Sequence, residues 1–547
     1  MKFFLALVLI ACSFFTTAQQ PILNSNINRP KLVVGIVIDQ MRWDYLYRYQ
    51  NRYTANGGFN RLLNKGFTCQ NTMIPYTPTV TACGHSCIYT GSVPAINGIV
   101  GNEWWDRTTA ARMYCAQDIT VQPIGSTNKI NELSPKNLLT TTIGDELKLA
   151  TNFKSKVIGI ALKDRGAILP AGHAADAAYW YDGKTGNFIS SNFYFKNNML
   201  PSWVNDFNNK KLPDAYYKLN WNTLYPINTY TQSTADFEPY EDFLFDKKAT
   251  TGFPYLLDTC VGKNYNRLWY TPYGNNLTID MAKAAIINEQ LGKGTNTDLL
   301  AVSFSSPDLI GHAVGPNAIA SEDTYLRLDI ELGKFFAFLD AQLGVGTYTC
   351  FLSADHGVAH IPGFNATHNL PGKPWDDVAL AKKLNVACAA KFGIVKTIVS
   401  MANYQVTIDP AVITDLNTRD AIINFILPII DKEPGIANAF DIKKLSTTTL
   451  PDVQKTMLAN GYYPKRCGDV QIILEPSWID MGDRGTTHGL WNPYDAHIPL
   501  IWYGFGIKPG KLNRETYMTD IAPTLAALLK IQMPSGSIGK VITEVLK

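Results

Sequence analysis

The sequence predicts a doubly wound α/β protein, a mostly parallel sheet flanked by helices, with inserted cap regions. Three observations carry that prediction. Apolar runs of β type recur along the chain, at 31–39, 156–162, 349–353 and 498–504. Segments with helical spacing alternate with them. Some of these apolar runs stop abruptly at carboxylates. KLVVGIVID ends on Asp39, LLAVSFSSPDLIGH carries Asp308 and His312, and YTCFLSADHG carries Asp355 and His356. A parallel sheet places its chemistry in the crevice at the carboxyl ends of its strands, so these side chains should converge. Carboxylates and imidazoles at one crevice read as a metal site, with room for two metals.

Each element follows from local chemistry. Residues 31–39 are continuously apolar, as a strand covered on both faces must be. FNRLLNKG (59–66) reads as a helix turn closed by Gly66, and KVIGIAL (156–162) as a second buried strand. Residues 278–292 show helical spacing with an N-terminal Thr and a closing Gly. The segment 321–344 is a second long helix, with Ser321 as its N-cap. Strands 349–353 and 498–504 follow, and 517–531 closes the chain as a helix. Two regions break the rhythm. Residues 180–277 are rich in Asn, Tyr, Trp and Pro without clean periodicity, and 362–475 mix short strands and helices. Both read as insertions into one catalytic domain, placed to cap the crevice.

Length alone allows roughly three to four domain equivalents, which one large domain with insertions also satisfies. A net charge of +3 is too small to argue for nucleic acid as a specific partner. The 27 Tyr and 11 Trp suit packed loops better than a carbohydrate-facing surface, because aromatics usually bury. MKFFLALVLIACSFFTTAQQ has a Lys, an apolar run and small residues at 16–18, the form of a signal peptide over residues 1–18. The catalytic domain then spans 19–547, and the protein is expected to be periplasmic or secreted. A lipoprotein reading, with Cys12 acylated, is the minority alternative, because the apolar run continues past Cys12. No later segment is long and apolar enough to span a bilayer. Eight cysteines lie beyond Cys12, and in an oxidising compartment such thiols can pair. Cys350, inside an apolar strand, reads as a buried free thiol.

The chemistry centres on PYTPTVTACGHSCIYTG (75–91), where a Pro-punctuated loop leads into a short helix beginning near Thr81. A hydroxyl there sits at the positive end of the helix dipole and can receive a phosphate. The plainer alternative makes Thr79 or Thr81 an N-cap. Asp308 and His312, spaced i,i+4, can face one ligand from one helical turn. Lys163 and Arg165 lie just past a strand; two apart on extended chain, they would point to the same side and suit a dianion. Asn102 beside Gly101 reads equally as a turn residue. His85 either supports the Thr81 helix or packs in the core. His360 is the best spare metal ligand but is not assigned, and His173, His368 and His497 match no ligand position.

The ordered set is more specific than its parts. TxxGH after the Pro-Thr loop, Asp39, DxxxH at 308–312, DH at 355–356 and THG at 487–489 resemble the alkaline phosphatase superfamily. The nearest branch joins nucleotide pyrophosphatase/phosphodiesterases with PafA-type alkaline phosphatases. The resemblance implies an alkaline phosphatase-like fold, a Thr nucleophile and two zinc ions per chain. It places Asp308, His312 and His488 on one zinc. It places Asp39, Asp355 and His356 on the other, together with Thr81 Oγ1. It gives Lys163 and Arg165 to the phosphate of a monoester, and Asn102 to a phosphoryl oxygen. The implied function is hydrolysis of small-molecule phosphate monoesters through phospho-Thr81, releasing inorganic phosphate. The alternative is a phosphodiesterase or nucleotide pyrophosphatase of the same superfamily. No Cys-x-Pro-x-Arg segment of the sulfatase kind is present, and a monomer is expected.

Overall fold

The computed structural model describes residues 28–245, 252–413 and 415–546. The expected signal peptide and Cys12 lie outside the described residues. The strand Leu32–Ile38 is buried along its whole length and runs through the middle of a ten-stranded sheet. Across that sheet lie Gly510–Tyr517, Phe67–Met73, His497–Gly504, Thr349–Ser353, Leu32–Ile38, Asp298–Phe304, Val157–Ala161, Ala177–Asp182, Asn187–Ser191 and Pro123–Ile124.

The heart of the sheet is parallel. Leu32–Ile38 pairs in parallel with Thr349–Ser353 on one side and Asp298–Phe304 on the other. Val157–Ala161 and Ala177–Asp182 continue the same direction. Register keeps the strand ends level: Val37 faces both Ser353 and Ser303. The residues that follow these strands therefore emerge at one edge. The late strand His497–Gly504 runs antiparallel to both neighbours. Its direction follows from where it starts. The chain crosses the carboxyl edge at His488 and can only run back down.

Helix ends differ from the sequence reading in instructive ways. The helix expected at 278–292 spans Tyr273–Asn288, so Thr278 is interior and donates its hydroxyl to the Gly274 carbonyl at 2.8 Å. The second long helix is Ile319–Leu343, with Ala318 in the N-cap position. Ser321 is not the cap; its Oγ donates to the Gly315 carbonyl at 2.7 Å, tying the helix to the preceding loop. The closing helix is shorter than 517–531. A 3-10 turn at Met518–Asp520 precedes Ile521–Leu529. Seven of the described cysteines are buried free thiols, Cys350 among them. Cys83 and Cys87 fall on successive turns of one helix, and Cys83 Sγ donates to the Ile99 carbonyl at 3.1 Å.

The two irregular regions are built differently. In 180–277 the aromatics are packing groups. Trp221 is fully buried, donates Nε1 to Asp323 at 2.7 Å and stacks edge-on against Phe253. Region 362–475 makes its own antiparallel sheet, in the order Ile398–Ser400, Gln405–Ile408, Val470–Leu474, Ile436–Asp441. The helices Asp377–Phe392 and Leu416–Ile430 cover it around an apolar core containing Leu384, Ile422, Ile426 and Ile472. Arg419 crosses this unit, with Nη2 2.8 Å from Asp441 and Nε 3.2 Å from Asp469. All three side chains are buried. Arg419→Leu leaves Asp441 buried without its ion-pair partner and Asp469 with Arg107 alone, and unfolding in urea should show a loss of about 3–5 kcal/mol.

Candidate metal centre

Three strand ends deliver the carboxylates. Asp39 follows Leu32–Ile38 directly, and Asp355 follows Thr349–Ser353. Asp308 lies in the first turn of the helix Ser306–Val314, just beyond Asp298–Phe304, and His312 is one turn further along it. His488 arrives from the loop before the antiparallel strand. Two ligand groups result: Asp308, His312 and His488, and Asp39, Asp355 and His356, each with its ligand atoms within 4.8 Å of one another.

In the first group, His312 Nε2 is 3.3 Å and His488 Nε2 3.7 Å from Asp308 Oδ1. In the second, His356 Nε2 is 3.5 Å from Asp39 Oδ1 and 3.4 Å from Asp355 Oδ2. Backbone carbonyls orient all three imidazoles. Nδ1 of His312 meets the Thr486 carbonyl at 2.7 Å, and Nδ1 of His488 meets that of Thr79 at 2.7 Å. Nδ1 of His356 meets the Gly357 carbonyl at 3.0 Å. A carbonyl only accepts, so Nδ1 carries the proton and Nε2 turns its lone pair to the crevice, as metal-binding histidines do.

The residues fit divalent metal. Asp39 Oδ1 and Asp355 Oδ2 are buried without a hydrogen-bond donor. Burial, and then the charges of Asp308 and Asp355, push the Asp39 carboxyl well above its ordinary range. Burial alone would raise Asp308 too, but Lys163 and His312 outweigh it and hold it low. Burial, with His356 and His312 nearby, pushes His488 well down and keeps its imidazole neutral, the ligating form. Carboxylates crowded in low dielectric need cations at close range. Asp/His donor sets of this kind suit zinc among the divalent ions.

Thr81 opens the helix Thr81–Thr90, every residue of which is buried. The N-cap is Val80, so neither threonine serves as the cap. Thr79 instead donates its hydroxyl to the Leu490 carbonyl at 2.8 Å, fastening the loop that carries His488. Thr81 Oγ1 lies 3.3 Å from His356 Nε2 and 3.5 Å from Arg165 Nη2. Asn102 accepts the Ala82 N–H on its Oδ1 at 2.9 Å, which holds its side chain at the start of the Thr81 helix.

Lys163 and Arg165 do reach the crevice, but not by alternation on extended chain. Lys163 is the extended N-cap of the helix Asp164–Ala171, and Arg165 is in its first turn. The turn lets Lys163 Nζ bridge the two groups, donating to Asp39 Oδ2 at 2.6 Å and to Asp308 Oδ2. Arg165 Nη1 leans on Tyr114 Oη at 3.3 Å, and Tyr114 Oη donates to Asp164 at 2.5 Å.

Several supports carried no sequence signal. Gln40, in a left-handed conformation at φ 66°, donates Nε2 to Asp308 at 2.8 Å and its backbone N–H to Asp355 at 3.1 Å. Its place directly after Asp39 is the only hint. Asp495 accepts the Gly489 and Leu490 N–H groups at 3.2 and 3.0 Å, fixing the turn after His488. His85 is more than packing. Its Nδ1 is 2.9 Å from the Thr81 carbonyl and 3.3 Å from Asp355, and its Nε2 is 2.7 Å from Ser303 Oγ. His360 takes no ligand position; it contacts Asn317 at 2.8 Å and Arg42 at 3.3 Å.

Gly84 lets the Thr81 helix lie against the second group. A Cβ there would stand 2.4 Å from the Asp355 carbonyl oxygen and 2.6 Å from its Cα. Gly84→Ala must push Thr81 and Asp355 apart. Metal analysis by mass spectrometry after dialysis against a chelator series should show retention about 10–100-fold weaker, the usual scale for supporting shells.

Residues 33–497 match the family described as Type I phosphodiesterase / nucleotide pyrophosphatase. The alkaline phosphatase PhoV of Synechococcus elongatus is 52% identical over 97% of this chain and 95% of its own length. A Myroides odoratus protein named a calcium-transporting ATPase is 51% identical, end to end in both chains. The crystal structure of alkaline phosphatase PafA superposes with a TM-score of 0.92 at 47% identity, over 95% of this chain and 99% of that one. A solved variant of PafA is altered at one Thr, one Asn, one Lys and one Arg. The chain belongs to the type I phosphodiesterase / nucleotide pyrophosphatase family of the alkaline phosphatase superfamily, in its PafA-like group.

Proposed function

We propose that this chain hydrolyses small phosphate monoesters with Thr81 Oγ1 as the nucleophile, using two zinc ions per chain. The observation that carries this reading is the position of that hydroxyl. It opens a buried helix, 3.3 Å from His356 of the second ligand group and beside the Arg165 guanidinium. Bound at the two groups, divalent zinc supplies charge that ionises a hydroxyl and steadies a departing oxygen.

The chain's own residues do the rest. Thr81 gives up its proton to solvent and its oxygen attacks phosphorus. The bond to the alcohol oxygen breaks, and that oxygen leaves with the electron pair and takes a proton from water. Water then attacks phospho-Thr81, releases inorganic phosphate and returns a proton to the threonine. Arg165, whose buried Nε has no partner, can present its fork to two phosphoryl oxygens. Asn102 offers its amide N–H to a third. Lys163 holds Asp39 and Asp308 together and adds positive charge opposite a dianion. Two cationic side chains, Lys163 and Arg165, around one phosphoryl group favour the dianion of a monoester over the monoanion of a diester. Diester cleavage is the second reading, favoured by the family match itself.

The form of residues 1–18 supports export to the periplasm or beyond. Regions 180–277 and 362–475 act as insertions around one catalytic domain, 19–547. The Myroides name joins calcium transport to ATP hydrolysis. Among the described residues no helix is long and apolar enough to cross a membrane, and hydrolysis at phosphorus is the part the crevice supports.

Thr81→Ala should lower kcat for phenyl phosphate by about 10⁴-fold or more, the scale at which a nucleophile counts. Full turnover in that variant would remove the assignment. Wild type should turn over phenyl phosphate faster than methyl phenyl phosphate. Lys163→Ala with Arg165→Ala should cut the monoester rate far more than the diester rate, and an equal loss on both would overturn the dianion argument.

A further inference from the structure

A cavity of about 630 Å³ opens where the crevice meets the inserted four-stranded unit. On the crevice side it is lined by Val80, Asn102 and His488. On the inserted side it is lined by Asp377, Tyr404 and Asp480. His488 belongs to the first ligand group, whereas Thr81 touches His356 of the second. In an in-line displacement the departing group leaves on the side opposite the nucleophile. The organic part of the ester is therefore directed past the first group and into this cavity, whose volume far exceeds a phosphate's.

The charge of the lining is lopsided. Glu103, Asp377 and Asp480 contribute carboxylates, and the only cation is Arg112, which is already paired with Glu103. Arg112 is also the one lining cation that acts on Asp377, so a single guanidinium already bound to Glu103 faces three carboxylates, and none of the lining cations acts on Asp480. Burial, and then the charge of Asp377, push the Asp480 carboxyl up to about 7, the signature of a carboxylate short of positive charge. Apolar wall comes from Tyr404, Met401 and Ile398. A cavity with apolar walls and uncompensated carboxylates fits an alkyl group that ends in an ammonium. It repels an organic part that carries further carboxylate or phosphate.

We propose that this cavity is the leaving-group pocket, and that its carboxylates select phosphate monoesters of amino alcohols over those whose organic part is itself anionic. The inference rests on the monoesterase reading above.

The test is kcat/KM of the metal-loaded enzyme for three esters. They are phosphoethanolamine, 3-phosphoglycerate and glycerol 3-phosphate, with cationic, anionic and neutral alcohols. Each rate is divided by that of the neutral ester, and variants are compared with wild type so that intrinsic ester reactivity cancels. In Asp377→Asn with Asp480→Asn, the cationic-to-anionic ratio should fall by about tenfold, the scale of a charge pair at partly screened distance. Val378 lines the same cavity and is 72% exposed, so Val378→Lys adds a cation without touching the core. It should move the ratio in the same direction. Rising salt should bring the wild-type ratio toward that of the variants. If neither variant shifts the ratio, the pocket assignment fails. If the double Asn variant does not fold, the lysine variant alone decides. Wild type that turns over none of the three esters would sink the monoesterase reading itself, a different outcome from equal turnover of all three charges.

Discussion

Three carboxylates buried within reach of one another are the constraint on which the rest of the structure depends. Asp39, Asp308 and Asp355 stand at adjacent strand ends because Leu32–Ile38 pairs in register with both neighbours. Mutual repulsion in a water-poor crevice would spread them apart unless positive charge or hydrogen-bond donors held them. Lys163 spans two of the three, and Gln40 spans another two. The histidines add imidazole donors whose Nδ1 protons are committed to backbone carbonyls. The arrangement is preorganised for divalent cations, and the fold bears the cost of assembling it.

Thr81, the proposed nucleophile, is coupled to that cluster through backbone, not only through side chains. Gly84 allows the Thr81 helix to meet Asp355 closely, and His85 on the same helix reaches Thr81, Asp355 and Ser303 together. Thr79 and the His488 loop hold each other by two bonds in opposite senses, Thr79 Oγ1 to Leu490 and His488 Nδ1 to Thr79. Both ligand groups and Thr81 are therefore tied to one another through backbone contacts. That coupling suits a reaction whose transition state is won by positioning and electrostatics.

The inserted regions play unlike parts. Residues 180–277 spend their aromatic side chains on packing, with Asp323 gathering Trp221, Tyr230 and the Leu224 N–H around the long helix. Region 362–475 has its own core and meets the crevice at its edge, through the start of the Asp377–Phe392 helix and residues 398–404, and through Met457 and Asn460, which bond to the loop before Thr81. A scaffold that keeps the phosphoryl chemistry in one sheet and leaves the organic side to a separately built wall can vary the second without disturbing the first.

Most of the ligand set was legible in the sequence because it follows strands. Asp39 and Asp355 come immediately after continuous apolar runs, and Asp308 with His312 shares one helical turn. Alternating strands and helices also determined the fold class. His488 and Asn102 entered only through their ordered likeness to a family, since nothing local marks a loop His or a turn Asn. Other features depended on distance through space. Ser321 lost its capping role to a bond with Gly315, and Lys163 bridges carboxylates because a helix begins at the next residue. Gln40 acts through groups hundreds of positions away, Asp495 through a turn five and six residues before it, and Gly84 through a missing methyl, and no periodicity records such contacts. The sequence by itself determined which side chains could bind metal and which strands would carry them. Their division into two groups came with the family resemblance, and tertiary structure alone decided what holds them, because that depends on pairings between segments that local chemistry does not choose.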